Sequence, residues 1–122
     1  MRDADRLRGL DGVTLQWISF DRRDNARGDA SVTIDEAGVW RLYAMQTGSN
    51  AAKMVVDGAI TEIGADYFEL AGTVTILNTP DEGRTCERNG TWRFAVTQNR
   101  KCYRLRQFEW CDYLTDYIDL YF

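Results

Sequence analysis

The chain has 122 residues, of which 44% are hydrophobic and 28% are charged, a balance typical of a folded globular domain and not of a disordered segment. This length allows one domain with a substantial core and is too short for two. The formal net charge of −4 argues against a protein whose main task is to bind the phosphate backbone of nucleic acids. No run of residues approaches the ~20 apolar positions of a transmembrane helix.

Residues 1–12 are predicted to be an N-terminal extension in which Asp3 to Leu10 forms a short helical turn at one end of the fold. Residues 13–122 are predicted to form a single β domain. Its first strand is expected from Val13 to Phe20, a stretch of β-branched and aromatic residues that places Trp17 on the inner face. No signal peptide precedes Asp3, so export would require that a signal sequence has already been removed.

The loop from Asp21 to Gly28 is rich in charge. Four side chains in or directly after this loop carry oxygen atoms that could bind a calcium ion, namely Asp21, Asp24, Asn25 and Asp29. Their spacing lacks the fixed glycine and terminal glutamate of an EF-hand, which favours a solvated turn over a calcium site.

Further strands follow at short intervals. Alternation of apolar and polar residues predicts strands over residues 30–34, over Val39 to Gln46 with Trp40 facing inward, and over Tyr67 to Leu77 with Phe68 facing inward. Between them, residues 53–63 contain Asp57-Gly58, which marks either a hairpin tip or a β-bulge. Trp17, Trp40, Trp92, Phe68 and Phe94 are the predicted centre of the core.

Asn89-Gly90 is a strong hairpin signal, because both central residues of a type I′ turn need a positive φ. It predicts one strand before Asn89, a second from Thr91 to Thr97, and a third from Lys101 to Phe108. This arrangement brings Cys86 and Cys111 to one end of the sheet and leaves Cys102 at the other. We therefore expect a Cys86–Cys111 disulfide, and the alternative is three reduced thiols in a cytosolic protein.

The last residues, Ile118 to Phe122, alternate as a strand would, although helical spacing from Leu114 to Tyr121 is the alternative. A terminal strand can close a barrel. Eight or nine short strands joined by short turns predict an all-β fold, a single antiparallel up-and-down β-barrel.

The absence of histidine removes Ser-His and Cys-His catalytic pairs and histidine metal sites. The cysteine spacing fits no zinc framework and there is no phosphate-binding glycine loop, so no metal, cofactor or catalytic residue is predicted. An enzyme would have to rely on carboxylates, as glycosidases do.

Basic residues are concentrated between positions 84 and 106. Arg93, Arg104 and Arg106 form a candidate anion-binding face. Pairing of Arg104 and Arg106 with Asp119 or Glu109 of the same chain is the favoured alternative. The neighbouring aromatic residues alternate with the arginines and so point into the core, which weakens a model of base stacking on an OB-fold-like surface.

Residues Thr115 to Phe122, together with Cys86 and Cys111, resemble a family of small exported bacterial proteins of unknown function. That resemblance implies an extracytoplasmic location and paired cysteines. The Thr115-Asp116-Tyr117 triplet and the strand from Gly12 to Trp17 also look faintly similar to lipocalins, which implies a calycin-like barrel.

These observations favour a non-catalytic binding or interaction module, periplasmic or secreted, over two rivals: a carboxylate-dependent enzyme acting on glycan and a nucleic-acid-binding barrel. Its expected partner is an unknown small molecule or protein, with no nucleic acid and no transmembrane segment, and the protein is expected to be a monomer.

Overall fold

The computed structural model describes residues 2–19 and 27–122. Within these ranges the chain forms two short helices and eight strands: α1 (Arg2–Arg8), β1 (Gly12–Leu15), α2 (Gln16–Ser19), β2 (Gly28–Ile34), β3 (Trp40–Thr47), β4 (Lys53–Gly64), β5 (Tyr67–Leu77), β6 (Thr85–Ala95), β7 (Cys102–Leu105) and β8 (Ile118–Tyr121). Asp21, Asp24 and Asn25 of the calcium hypothesis lie outside the described residues.

Each strand pairs antiparallel with the next, and β8 pairs with β1, which closes an eight-stranded up-and-down barrel. The predicted fold class is therefore confirmed, as is a terminal strand that closes the barrel. One mouth, the α1 end, carries α1 and the turns 35–39, 65–66 and 96–101. The opposite mouth, the α2 end, carries α2 and the connections 48–52, 78–84 and 106–117.

The first strand is shorter than predicted. β1 stops at Leu15, and residues 16–19 make one helical turn. At the end of β1, the Leu15 backbone N–H donates a 2.7 Å hydrogen bond to Oε1 of the Gln46 side chain. Trp17 therefore lies on α2 at the barrel mouth and not on the first strand.

The Asn89-Gly90 hairpin is not formed. β6 runs without interruption through both residues, with Asn89 opposite Thr73 and Gly90 opposite Gly72 of β5. Gly72 also pairs with Gly58, so three glycines form one row across β4, β5 and β6. Asp57-Gly58 is likewise inside a strand, and the register irregularity of β4 lies between Ile60 and Glu62.

Inward-facing side chains fill the barrel. Phe68 and Phe94 stack with ring centroids 5.0 Å apart, and Tyr103 packs edge-on against Phe68 at 5.1 Å. Phe68, Phe94 and Trp92 are buried as predicted, whereas Trp17 and Trp40 are partly buried at the rims and pack against the core from its edge.

Helix α1 covers its mouth of the barrel. Leu7 is fully buried, and the buried Asp3 carboxylate accepts hydrogen bonds from the Tyr103 hydroxyl at 3.1 Å and from the Asp66 backbone N–H at 3.0 Å. Burial, followed by this hydrogen bond to Asp3, raises the pKa of Tyr103 to about 12. The predicted helical turn is thus a helix whose polar residues anchor it to the barrel.

Candidate binding site at the α2 end

The connection from β7 to β8, residues 106–117, is a long irregular segment that runs back along β6. β6 pairs with β7 through Phe94 and Ala95, which leaves the first part of β6 without that strand neighbour. The Gln107 side chain substitutes for a strand there, accepting from the Arg93 backbone N–H at 3.0 Å and donating to the Thr91 carbonyl at 3.2 Å. The segment is therefore built into the wall of the barrel.

A disulfide fixes this segment to β6. Cys86 and Cys111 are bonded, with their Cα atoms 5.8 Å apart, and Cys102 is a buried free thiol. The predicted pairing is confirmed, but the backbone path between the two cysteines differs from the predicted one. The 106–117 segment runs back along the continuous strand β6 and brings Cys111 to Cys86, without the two predicted hairpin turns. Cys86, Cys111 and Asp112 also have the spacing of metal ligands, yet the two sulfur atoms are already bonded to each other.

Arg84 makes a second attachment between β6 and the 106–117 segment. Its side chain is 6% exposed, and the guanidinium donates to both oxygens of Asp112 and both oxygens of Asp116 at 2.9 to 3.1 Å. Its remaining N–H donates to the Thr79 carbonyl at 3.1 Å. All five guanidinium donors are thus used, the full capacity of an arginine. We call Arg84, Asp112 and Asp116 the arginine clamp.

The clamp extends to α2. Asp116 is fully buried and also accepts a 2.9 Å hydrogen bond from the Trp17 indole N–H. Burial by itself would lower the pKa of Arg84, but its hydrogen bonds to Asp116 and Asp112 raise that pKa above the ordinary value. The hydrogen bond from Arg84 correspondingly lowers the pKa of Asp112. The formal charges of the three clamp residues sum to −1.

A pocket of about 130 Å³ lies beside the clamp, bounded by three segments that the barrel brings together. Trp17 and Ile18 of α2 form one wall, the 48–52 turn a second, and the 78–84 connection a third. The residues that line it are Trp17, Ile18, Ser49, Asn50, Ala52, Asn78, Thr79, Pro80 and Glu82.

The two turns that line the pocket are joined to each other. The Asn78 side-chain amide donates to the Ala51 carbonyl at 3.1 Å, and its oxygen accepts from the Gly83 N–H at 3.0 Å. Asn50 and Asn78 adopt left-handed φ values of 58° and 59°. Asparagine tolerates this region better than most residues do, so the sequence suits the tight turns that the pocket needs.

Sequence reasoning did not identify this site. It predicted no binding residue in the 48–52 turn or in residues 78–83, and it placed Trp17 in the core. Isolated Asn, Ser and Glu residues in turns carry no signal of proximity, and the ion pairs of Arg84 with Asp112 and Asp116 span 28 and 32 residues.

The candidate anion-binding arginines lie apart from this pocket, and each has a partner within the chain. Arg104 donates two hydrogen bonds to Asp119, at 2.7 and 2.9 Å. Arg93 lies 3.3 Å from Glu69. The Arg106 guanidinium sits 4.9 Å from the centre of the Phe108 ring. The cationic charge of this region is thus largely met by carboxylates and aromatic rings of the same molecule.

A second, wider groove of about 230 Å³ lies at the α1 end, with Arg6, Asp66, Arg100 and Lys101 among its lining residues. Arg6 is held by Asp66 at 2.6 Å and lies 3.5 Å from Asp3. This groove therefore mixes both signs of charge, in contrast to the pocket at the α2 end.

Across the described ranges, neither helix is long and apolar enough to cross a membrane. The fold and the site define a small, closed, disulfide-bonded β-barrel with a packed interior and a preformed pocket at one mouth.

The chain belongs to the PM1083 family, whose model matches residues 1–122. It is 34% identical over 119 residues to the uncharacterized protein PM1083 of Pasteurella multocida (strain Pm70), an alignment that covers 96% of this chain and 74% of that protein. No solved structure matches.

Proposed function

We propose that this barrel is a non-catalytic binding module that works outside the cytoplasm, and that the pocket at the α2 end receives a small polar ligand. Trp17, Asn78 and Glu82 contribute to this pocket. A mouth of a β-barrel is a common place for such a site, where a few polar groups set orientation and specificity.

The observation that carries the proposal is the fixation of the pocket walls. The arginine clamp joins the 78–84 connection, the 106–117 segment and α2, since Arg84 bonds the Thr79 carbonyl and Asp116 bonds Trp17. The Cys86–Cys111 disulfide also holds the 106–117 segment. A wall that is rigid before binding loses little conformational entropy when a ligand arrives, which increases affinity.

The packed interior argues against a lipocalin-like carrier, because the side chains that face the centre of the barrel fill it. Leu42, Met54, Leu70 and Ile76 are 0% to 1% exposed, and the stacked Phe68–Phe94 rings occupy the middle. A ligand would therefore bind at the mouth.

The export proposal rests on the disulfide. Disulfides persist in oxidising compartments and are rare in the cytosol, and this one holds a long irregular segment that has little other regular structure.

The enzyme alternative has less support. Glycosidase chemistry needs two carboxyl groups facing a substrate. Asp112 and Asp116 both face Arg84, and among the described residues Glu82 alone brings a carboxylate to the pocket lining. The nucleic-acid alternative needs a continuous basic groove with outward aromatic side chains, and Phe94 and Tyr103 point into the core.

Native mass spectrometry of the disulfide-bonded protein, purified from its own host, tests the proposal. The wild type should carry a small noncovalent adduct, or acquire one from a host small-molecule extract. Glu82→Trp, which places a large ring at the pocket mouth, should remove the adduct, and Glu36→Trp in the exposed turn at the opposite end should keep it. A bare polypeptide mass for the wild type under both conditions would count against the proposal.

A further inference from the structure

We infer that the ligand of this pocket is a small organic cation bearing a primary ammonium group, held by the carboxylate of Glu82 and the indole of Trp17. This inference rests on the proposed function and adds the chemical class of the ligand. It follows from the charges that surround the pocket, from the aromatic wall, and from the volume.

Among the described residues that line the pocket, Glu82 is the one charged side chain, and it is acidic. The other described lining residues are neutral, and Asp81 precedes Glu82 in the chain. Within the described part of the chain, the Arg84 guanidinium that holds the Thr79 carbonyl does not offset this charge, because all five of its donors are used and the formal charges of Arg84, Asp112 and Asp116 sum to −1. The charge of the described lining therefore favours a cation over an anion.

The carboxylate at the pocket also favours a ligand that donates hydrogen bonds. The Asn78 amide already donates to the Ala51 carbonyl, which reduces the donors that the pocket can offer a ligand. The carboxylate of Glu82 accepts hydrogen bonds and cannot donate them when ionised. An ammonium group supplies three hydrogen-bond donors and has no acceptor that would need a donor from the protein.

Trp17 provides the second part of the recognition. Tryptophan is the aromatic side chain that attracts a cation most strongly through its ring face. The hydrogen bond from its indole N–H to the buried Asp116 fixes the orientation of the ring at the pocket wall. The ring is therefore in place before a ligand binds.

The volume limits the ligand. A pocket of about 130 Å³ is well below the roughly 300–1,000 Å³ of typical ligand pockets, so its ligand must be small. A primary ammonium on a stem of about four carbons matches this space. Larger amines would have to leave the rest of their chain outside the mouth.

The test is a titration of ¹⁵N-labelled protein with n-butylammonium chloride at low ionic strength, followed through the indole resonance of Trp17 and the side-chain amides of Asn50 and Asn78. n-Butanol serves as the neutral ligand of the same shape, and sodium butyrate as the anionic one. Glu82→Gln removes the proposed carboxylate. Asp81→Asn is the matched control, since it removes a neighbouring charge that does not line the pocket.

We expect saturable shifts with butylammonium, at least tenfold weaker binding of butanol, and no saturation with butyrate. Glu82→Gln should weaken butylammonium binding at least fivefold, and Asp81→Asn less than twofold. Equal affinity for butanol and butylammonium would overturn the cation inference and leave the pocket as a site for neutral ligands. Equal losses of affinity in the two variants would show that general surface charge, and not contact with Glu82, attracts the cation. The absence of saturable shifts with butylammonium would also refute the inference. The mass-spectrometric experiment judges the binding function separately from these outcomes.

Discussion

Replacing Arg84 by methionine should cost the fold about 3–5 kcal/mol, the range measured when one partner of a buried ion pair is removed. Methionine keeps most of the volume of the arginine stem, so the loss arises mainly from charge. It leaves Asp116, which is 0% exposed, with the Trp17 N–H as its remaining side-chain donor. Asp112, whose side chain is 34% exposed, can turn to solvent and contributes less to the loss.

Urea unfolding followed by tryptophan fluorescence measures this effect, with the disulfide oxidised in every sample. For a domain of this size, a loss of about 4 kcal/mol corresponds to a decrease in Tm of roughly 10–20 °C. The matched control is Arg88→Met on the same strand: Arg88 is exposed and makes one hydrogen bond, to the Trp110 carbonyl, so its loss should cost less than about 1 kcal/mol.

A double variant distinguishes the loss of the ion-pair attraction from the cost of leaving the buried Asp116 side chain without Arg84. Arg84→Met combined with Asp116→Asn removes both charges, so it should be more stable than Arg84→Met alone. If Arg84→Met destabilises the protein no more than Arg88→Met does, the clamp does not hold the α2 end together and our account of the pocket walls is wrong.

Four further predictions address other parts of the barrel. Reduction of the disulfide should lower the free energy of unfolding by roughly 3.5 kcal/mol, because it opens a loop whose ends are 25 residues apart, and an unchanged urea midpoint would contradict this. Tyr103 has a pKa raised to about 12, so the stability it contributes is complete below pH ~10 and is lost as pH rises through the folded value; phenolate absorbance should show a late-ionising tyrosine that is missing from Tyr103→Phe, and this variant should also remove the alkaline loss of stability. Asp112 has a lowered pKa, so its contribution is present above pH ~4 and is lost on acidification; the stability gap between wild type and Asp112→Asn should close as pH falls, and a gap that stays constant down to pH ~2 would refute the ion pair. Gly72→Ala should destabilise by about 1–3 kcal/mol or more, because the added Cβ would lie 2.2 Å from the Asp57 carbonyl oxygen, whereas Gly90→Ala meets no atom within 4 Å and should be nearly neutral; equal effects would show that the glycine row is not closely packed.

The sequence predicted the barrel well because the alternation of apolar and polar residues is a local pattern that each strand keeps when the barrel closes. Along β5, Phe68, Leu70, Val74 and Ile76 are all buried, as their spacing requires. The same signal failed at Trp17, because β1 ends at Leu15 and residues 16–19 form a helical turn. Alternation reports which face a residue takes and says little about where a strand stops.

The candidate site was harder to predict for a related reason. Its pocket combines three segments whose proximity is set by barrel closure and not by spacing along the chain. Arg84 was noted only as one charge in a basic region, yet it is buried and saturated by Asp112 and Asp116. The Cys86–Cys111 pair was predicted correctly, although three cysteines allow three pairings and the choice among them came from a hairpin that the structure does not form.

The wrong hairpin prediction at Asn89-Gly90 shows that the pattern of inward-facing and outward-facing residues on either side of a dipeptide can test whether it forms a turn. A two-residue hairpin there would place Cys86 opposite Arg93, on one face, and Trp92 on the other face. A continuous strand places Cys86 and Trp92 on the same face, since they are separated by an even number of residues. Both are 2% exposed, whereas the Arg93 side chain is 46% exposed. The close approach within the glycine row is between Gly58 and Gly72, and Gly90 beside them has open space where a Cβ would lie. An Asn-Gly pair therefore predicts a turn only when the residues on either side also exchange faces as a hairpin requires, and in this chain they do not.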